Sequence, residues 1–122
     1  MIYRQSQRKT TVVPAQKAGT PDFNKLEIAP EQDLLGAGRL LSQITLPPGA
    51  LVAEHAHNDE YEVYLILAGE GDYYDNGTVV KVYPGDVTLC RSGEKHCLIN
   101  TGSSDLTFIA FIGFPNSEKQ QA

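Results

Sequence analysis

The sequence predicts an all-β protein, a sandwich or barrel built from many short strands. Eleven glycines and seven prolines interrupt the chain at short intervals, and the runs between them are rich in β-branched and aromatic residues. These runs recur roughly every 8–12 residues, a spacing typical of sandwiches and barrels. No apolar pattern with a period of three to four residues persists long enough to predict an extended helix.

The predicted strands are separated by turn signals rich in proline and glycine. The clearest unit is a hairpin of two alternating runs around Asp75-Asn76-Gly77, where asparagine and glycine tolerate positive φ. In chain order the runs are TTVVP (10–14), GRLLSQITL (38–46), the segment around EHAH (54–57), YEVYLILAG (61–69), the hairpin GDYYDNGTVVKVY (71–83), VTLC (87–90), HCLINTG (96–102) and LTFIAFIGF (106–114).

The length of 122 residues predicts a single domain with its own apolar core. We expect residues 1–37 to form an N-terminal strand and an irregular segment that covers the rest of the fold. The strand-rich body is expected over residues 38–114, and a polar tail that frays over residues 115–122.

The charge balance argues against a nucleic-acid partner. The formal net charge is −5, whereas phosphate binding needs clustered lysine and arginine. Four basic residues near the start are diluted by polar ones and predict a solvated segment: Arg4, Arg8, Lys9 and Lys17. The sequence therefore indicates a small-molecule partner.

The same inspection predicts a cytoplasmic protein without a membrane segment. No run approaches the roughly 20 apolar residues of a membrane helix, and the N-terminus lacks the apolar core of a signal peptide. Cys90 and Cys97 are seven residues apart with no CxxC spacing, so they predict neither a disulfide framework nor a zinc knuckle. Both are interpreted as small buried apolar residues.

Three histidines and one glutamate form a candidate metal site. His55 and His57 point to the same side of a strand because strand side chains alternate. Glu62 opens an apolar run, where a carboxylate is costly to bury unless something neutralises it. His96 completes a ligand set that suits a divalent transition metal, Mn or Fe foremost and Zn, Ni or Cu as alternatives. The competing explanation is coincidence on a solvated strand.

The spacing of these residues resembles the two sequence motifs of the cupin superfamily, especially small single-domain members described as oxalate-decarboxylase-like. The first motif is matched at Gly49, His55, His57, Glu62 and Gly69. The second is matched at Gly85, Gly93, His96 and Asn100, with Arg91 where the family usually has proline. The fifteen residues between Gly69 and Gly85 match the short spacer of microbial single-domain cupins.

The resemblance implies a double-stranded β-helix, the jelly-roll cupin barrel, with a metal inside its wider mouth. In cupins the positions of His55, His57, Glu62 and His96 are the metal ligands. The motif glycines are expected where the backbone reverses tightly or takes positive φ. Asn100 is expected to hold its strand or loop through a bond from its side chain to the backbone.

Further residues are candidates for catalysis. If side chains alternate regularly along the strand that contains Glu62, Tyr64 and Ile66 face inward with it. Tyr64 is then either a hydrogen-bond donor in the pocket or a core residue. Arg39 either points into the barrel with Leu41 and Gln43, where it would clamp a carboxylate, or forms an ion pair at the rim. Glu60 is either an acid facing the mouth or a solvated loop residue.

The function predicted from the resemblance is a metalloenzyme acting on a small oxygen-rich molecule: a carboxylate, diketone, phenol or sugar. Decarboxylase, dioxygenase and isomerase chemistry all remain open, because the fold does not choose between them. The alternative is a binding or sensing module whose metal serves recognition or structure. A homodimer is expected because Val63, Leu65 and Leu67 form an apolar outward face, although the N-terminal segment is an alternative cover.

Overall fold

Two antiparallel sheets face each other across the core. The computed structural model describes residues 1–115, and within that range ten strands form a six-stranded sheet, β1-β2-β3-β10-β5-β8, and a four-stranded sheet, β4-β9-β6-β7. Two short 3₁₀ helices, Gln5–Gln7 and Glu31–Leu34, accompany them. The strands are β1 (Thr10–Val13), β2 (Phe23–Ala29), β3 (Gly38–Leu46), β4 (Leu51–Ala56), β5 (Tyr61–Ala68), β6 (Gly71–Asp75), β7 (Thr78–Val82), β8 (Val87–Cys90), β9 (Lys95–Ile99) and β10 (Leu106–Gly113).

This architecture is the double-stranded β-helix, and it confirms the predicted fold class. Leu46, Leu98, Leu106, Phe108 and Ala110 are fully buried between the sheets. No helix within residues 1–115 is both long and apolar enough to cross a membrane. The predicted tail lies, from residue 116 onward, outside the described residues, and the boundaries proposed at residues 37 and 114 remain predictions.

The predicted hairpin is confirmed as β6 and β7. The turn between them places Asn76 at φ 50° and Gly77 at φ 90°, the positive values that the Asn-Gly pair predicted. The four motif glycines also take positive φ as expected: Gly49, Gly69, Gly85 and Gly93.

The N-terminal segment contains one strand more than the sequence predicted. β1 confirms the TTVVP strand, but β2 was expected to be irregular and instead pairs with both β1 and β3. The sequence of β2, FNKLEIA, lacks a clean alternation because Lys25 follows Phe23 on the inward-facing positions. A charged residue at an inward position breaks the alternation of apolar and polar residues from which a strand is predicted.

The structure confirms the predicted parity on β5, and on β3 it excludes the inward alternative for Arg39, Leu41 and Gln43. Glu62 and Tyr64 are 4% and 1% exposed, as inward positions should be. On β3 the buried set contains Ile44 and Leu46, whereas Arg39 is exposed. This register buries two large aliphatic side chains, while the inward alternative would have buried a guanidinium and an amide at considerable cost.

Two glycines provide a matched test of backbone strain. Gly69 and Gly85 both have φ near 90°, but a Cβ on Gly69 would overlap the carbonyl oxygen of Asp105, whereas one on Gly85 would meet nothing within 4 Å. We expect Gly85→Ala to lower the free energy of unfolding by about 1–2 kcal/mol from strain alone. Gly69→Ala adds a steric clash and should lower it by about 3 kcal/mol or more. Urea unfolding measures both, and equal losses would contradict the steric argument.

Candidate metal centre

The four predicted ligands are brought together by both sheets. β4 carries His55 directly opposite His96 on β9, and β5 of the other sheet carries Glu62. His57 lies just after β4, where its carbonyl accepts a hydrogen bond from the amide of Gly93 (2.7 Å). A turn from one motif therefore anchors a histidine of the other.

The donor atoms of these side chains converge on one small volume. Oε1 of Glu62 lies 3.3, 3.0 and 2.9 Å from Nε2 of His55, His57 and His96, respectively. Nε2 of His96 lies 3.0 Å from that of His55 and 3.2 Å from that of His57. All four atoms lie within 4.8 Å of one another, and we call these four residues the His₃Glu cluster.

The second nitrogen of each ring is engaged outside the cluster. Nδ1 of His55 donates to the carbonyl of Ala53 (2.8 Å), and Nδ1 of His57 donates to Glu60 (2.8 Å). Nδ1 of His96 contacts the hydroxyl of Tyr73 (2.8 Å). A carbonyl and a carboxylate only accept, so Nδ1 carries the proton in the first two rings and Nε2 keeps its lone pair. Donation from His96 to the tyrosine oxygen would give the third ring the same tautomer.

The cluster therefore fits a cation. Three lone pairs and a carboxylate oxygen that face each other at about 3 Å repel one another unless a positive charge lies between them. Two donors bound at about 2.0–2.1 Å to a common ion are separated by about 3 Å, which matches the observed distances. The cluster is able to bind a metal ion, and imidazole with carboxylate is a donor set for divalent transition metals.

The charge state of the cluster agrees with this role. When protons on the facing ring nitrogens take the place of a cation, burial opposes ionisation of Glu62, but hydrogen bonds from His55 and His96 more than offset it and lower its pKa to about 2. Burial lowers the pKa of His96, which favours the neutral ligand form. The hydrogen bond to Glu62 in that protonated form raises the pKa of His55, so a proton competes with a metal for this ring. A neutral imidazole and an ionised carboxylate are the forms that bind metals.

A cavity of about 170 Å³ borders the cluster and reaches His55 and Glu62. The side chain of His55 is 35% exposed, whereas those of His57, Glu62 and His96 are at most 5% exposed. Most of the wall is apolar and comprises Val13, Phe23, Leu40, Ile44, Val52 and Tyr64. A larger cleft of about 300 Å³ opens between β7 and β8, but its walls contain none of the four cluster residues.

The predicted catalytic candidates lie in three different environments. Tyr64 is fully buried, lines the cavity and stacks on the His96 ring with centroids 5.0 Å apart, and burial raises its pKa. Arg39 does not point into the barrel; it forms a bidentate ion pair with Glu60 at 2.7 and 2.8 Å, so the rim ion pair is the correct alternative. Arg39 also holds the pKa of Glu60 at about 2, which keeps that carboxylate ionised.

The contact between Tyr73 and His96 was not predicted from the sequence. Tyr73 is 4% exposed, and its hydroxyl contacts a cluster histidine. Alternation on the hairpin signals that one of Tyr73 and Tyr74 faces inward. The contact itself depends on the pairing of β6 with β9, which no local pattern encodes.

Two further expectations are confirmed. The side-chain amide of Asn100 donates to the carbonyls of Leu46 and Ser104, and its oxygen accepts from the amide of Gly102. The two cysteines are free and buried.

Comparison with known proteins identifies the family. The cupin domain model matches residues 42–112. The chain is 36% identical over 112 residues to the oxalate-binding protein of Thermotoga maritima, covering 92% of this chain and 93% of that protein. It also resembles the crystal structure of a predicted oxalate decarboxylase from Thermotoga maritima, with a TM-score of 0.86, 34% identity and coverage of 94% and 100% of the two chains. A protein with a double-stranded β-helix domain from Klebsiella pneumoniae is 20% identical, with a TM-score of 0.67 and coverage of 82% of each chain, and shares the fold. The chain belongs to the cupin family, whose domain model spans more than half of its length.

Proposed function

We propose that the His₃Glu cluster binds a divalent transition metal, Mn or Fe first and Zn, Ni or Cu as alternatives. The convergence of three Nε2 lone pairs and one carboxylate oxygen on a single volume carries this proposal. Four protein ligands leave about two positions of a six-coordinate ion for water or a ligand. The ionised Glu62 offsets part of the charge of a dication.

We further propose that the protein is a metalloenzyme that acts on a small oxygen-rich molecule held in the cavity beside the cluster. A metal at this position would polarise a carboxylate or enolate oxygen. The apolar wall excludes bulk water, and Tyr64 fixes the orientation of His96 by stacking. A relative 36% identical to this chain is named an oxalate-binding protein, which supports carboxylates among the candidate molecules.

The alternative is a binding or sensing module without turnover, and one observation favours it. Both oxygens of Glu60 are engaged, by Arg39 and by His57, and its pKa is lowered to about 2. The acid predicted near the mouth is therefore ionised and does not donate a proton at neutral pH. A proton-dependent reaction would have to use another group.

Metal analysis followed by turnover assays separates the two functions. The purified protein should contain about one equivalent of divalent metal. Loaded protein is then given carboxylates, diketones, phenols and sugars, with dioxygen uptake and product formation both recorded. Turnover supports the enzyme, whereas saturable binding without turnover supports the sensor. A protein that takes up no stoichiometric metal would overturn both.

The contact from Tyr73 to His96 predicts a positioning role. Tyr73→Phe removes the hydroxyl that meets Nδ1 of His96, and we expect the metal affinity to fall about 10–100-fold because such partners orient the ligand ring. Tyr74→Phe is a matched control, since Tyr74 follows on the same strand and is less buried. Competition with a chelator measures both affinities. Equal affinities for the two variants would contradict the role.

We also propose a homodimer formed through the outer face of the six-stranded sheet. Leu67, Val87 and Leu89 are 43%, 62% and 39% exposed on β5 and β8, and apolar patches of this kind favour association. β1 and β2 extend the sheet beside β3 and do not lie across β5, which favours a second copy as the cover. Sedimentation at micromolar concentration should give a dimer, and Leu67→Glu should give a monomer. A wild-type monomer would contradict the proposal.

We infer a cytoplasmic location from the two free, buried cysteines, since reduced thiols are typical of that compartment. The acidic net charge of −5 supports a small molecule, and not a nucleic acid, as the partner.

A further inference from the structure

Lys25 places a positive charge at the wall of the cavity that borders the His₃Glu cluster. In β2 it lies opposite Ile44 of β3, and both residues line this cavity together with Phe23. Phe23 and Ile44 are buried and Lys25 is half-buried. The register of β2 therefore directs the lysine toward the space that a ligand of the cluster would occupy.

No acidic side chain within residues 1–115 lies within ion-pair distance of this lysine, although Glu62 lines the same cavity. Four other basic residues form ion pairs with acids within residues 1–115, and Lys25 takes part in none of them: Arg39 with Glu60, Lys81 with Asp72, Arg91 with Glu94 and Lys95 with Glu54. Gln16, another polar residue of the cavity, uses its carbonyl oxygen to accept a hydrogen bond from the amide of Ala53. An ammonium at the wall of this cavity offers a positive charge and hydrogen-bond donors to an anionic ligand.

We propose that Lys25 binds the second charged end of a small dicarboxylate whose first end lies at the cluster, so that the substrate class is an oxalate-like dianion. This proposal rests on the proposed metal function of the site and narrows its ligand. A volume of about 170 Å³ suits a molecule of few heavy atoms. Walls such as Val13, Leu40 and Val52 offer no partners for the hydroxyls of a sugar, and buried hydroxyls without partners are penalised. Neutral diketones and phenols provide no second charge for Lys25.

Calorimetric titration of the Mn(II)-loaded protein with oxalate and oxamate tests this assignment. Oxamate has nearly the shape of oxalate and the same arrangement of chelating oxygens, but an amide replaces one carboxylate. Wild type should bind oxalate at least about tenfold more tightly than oxamate, because a charge-assisted hydrogen bond replaces a neutral one. Lys25→Met keeps the straight side chain and removes the charge, so the preference for oxalate should fall about tenfold relative to wild type, and the preference of the metal itself for a dianion should remain.

Lys81→Met is the matched control. It removes the same formal charge from a lysine that is already paired with Asp72 and lines a different cleft. Metal content and melting temperature of both variants are measured first, so that loss of the fold or of the metal is distinguished from loss of the anion contact. A preference that falls about tenfold in Lys25→Met and is unchanged in Lys81→Met supports the proposal.

Three results would overturn it. If wild type binds oxalate but Lys25→Met keeps the full preference over oxamate, Lys25 is not the anion contact and the metal function stands. If the loaded protein binds a neutral diol or diketone more tightly than oxalate, the substrate class is wrong and the metal function again stands. If the wild type takes up no stoichiometric metal, both proposals fail together.

Discussion

Replacing His57 with alanine is expected to abolish stoichiometric metal binding and to leave both sheets folded. Nε2 of His57 lies 3.0 Å from Oε1 of Glu62 and 3.2 Å from Nε2 of His96, so its loss opens the cluster on one side. Removing a residue that only orients a ligand costs about 10–100-fold in affinity, so removing the ligand itself should cost more than about a hundredfold. His57 lies beyond the end of β4, so the ladder with β9 does not depend on it.

The measurement pairs metal content with far-ultraviolet circular dichroism. Glu54→Ala is the control, because it removes an ionisable side chain from β4 that is exposed and outside the cluster. This control should retain about one equivalent of metal, and His57→Ala should retain less than about a tenth at the same metal concentration. Stoichiometric metal at wild-type affinity in His57→Ala would refute the assignment of ligands.

The convergence of the four cluster residues was predicted from the resemblance to the two cupin motifs, whereas the direction of individual side chains follows from local patterns. Alternation on a strand fixes the relative direction of Glu62, Tyr64 and Ile66, and all three are buried as expected. Glycines at turns appear directly in the sequence, and their positive φ values agree. Each inference needed only a few neighbouring residues or a motif with invariant spacing.

The direction of Arg39 could not be predicted in this way. The run GRLLSQITL contains apolar residues on both faces, so its periodicity does not select one register. The choice is made by pairing with β10, which places Ser42, Ile44 and Leu46 toward the core and leaves Arg39 at the rim. There the guanidinium reaches Glu60, 21 positions later in the chain.

Tyr73 and Lys25 were missed for a related reason. The hydroxyl of Tyr73 meets His96 because β6 pairs with β9, and Lys25 reaches the cavity because β2 joins β3. Neither pairing leaves a signal near the residue itself. Groups that orient or complement a site from neighbouring strands are therefore found only once the register between the strands is known.

Asn100→Ala is expected to be among the most destabilising single changes outside the core and the cluster. The Asn100 side chain is 1% exposed, its amide donates at 2.8 and 2.9 Å to the carbonyls of Leu46 and Ser104, and its oxygen accepts at 2.9 Å from Gly102. Alanine leaves these backbone groups without partners, and each buried unsatisfied group costs about 1–3 kcal/mol. We expect a loss of about 3 kcal/mol in the free energy of unfolding.

Urea unfolding of the metal-free protein measures this loss without a contribution from metal binding. Asn24→Ala is the matched control, since Asn24 is exposed on β2 and should change the free energy by less than about 0.5 kcal/mol. The backbone of Asn100 also exchanges hydrogen bonds with Gly49 and Ala50, which connects the end of β9 to the turn before β4. Those two strands carry His55 and His96, so the asparagine stabilises the frame that holds two of the proposed ligands. A loss below about 1 kcal/mol would show that water replaces the amide and that the frame does not depend on it.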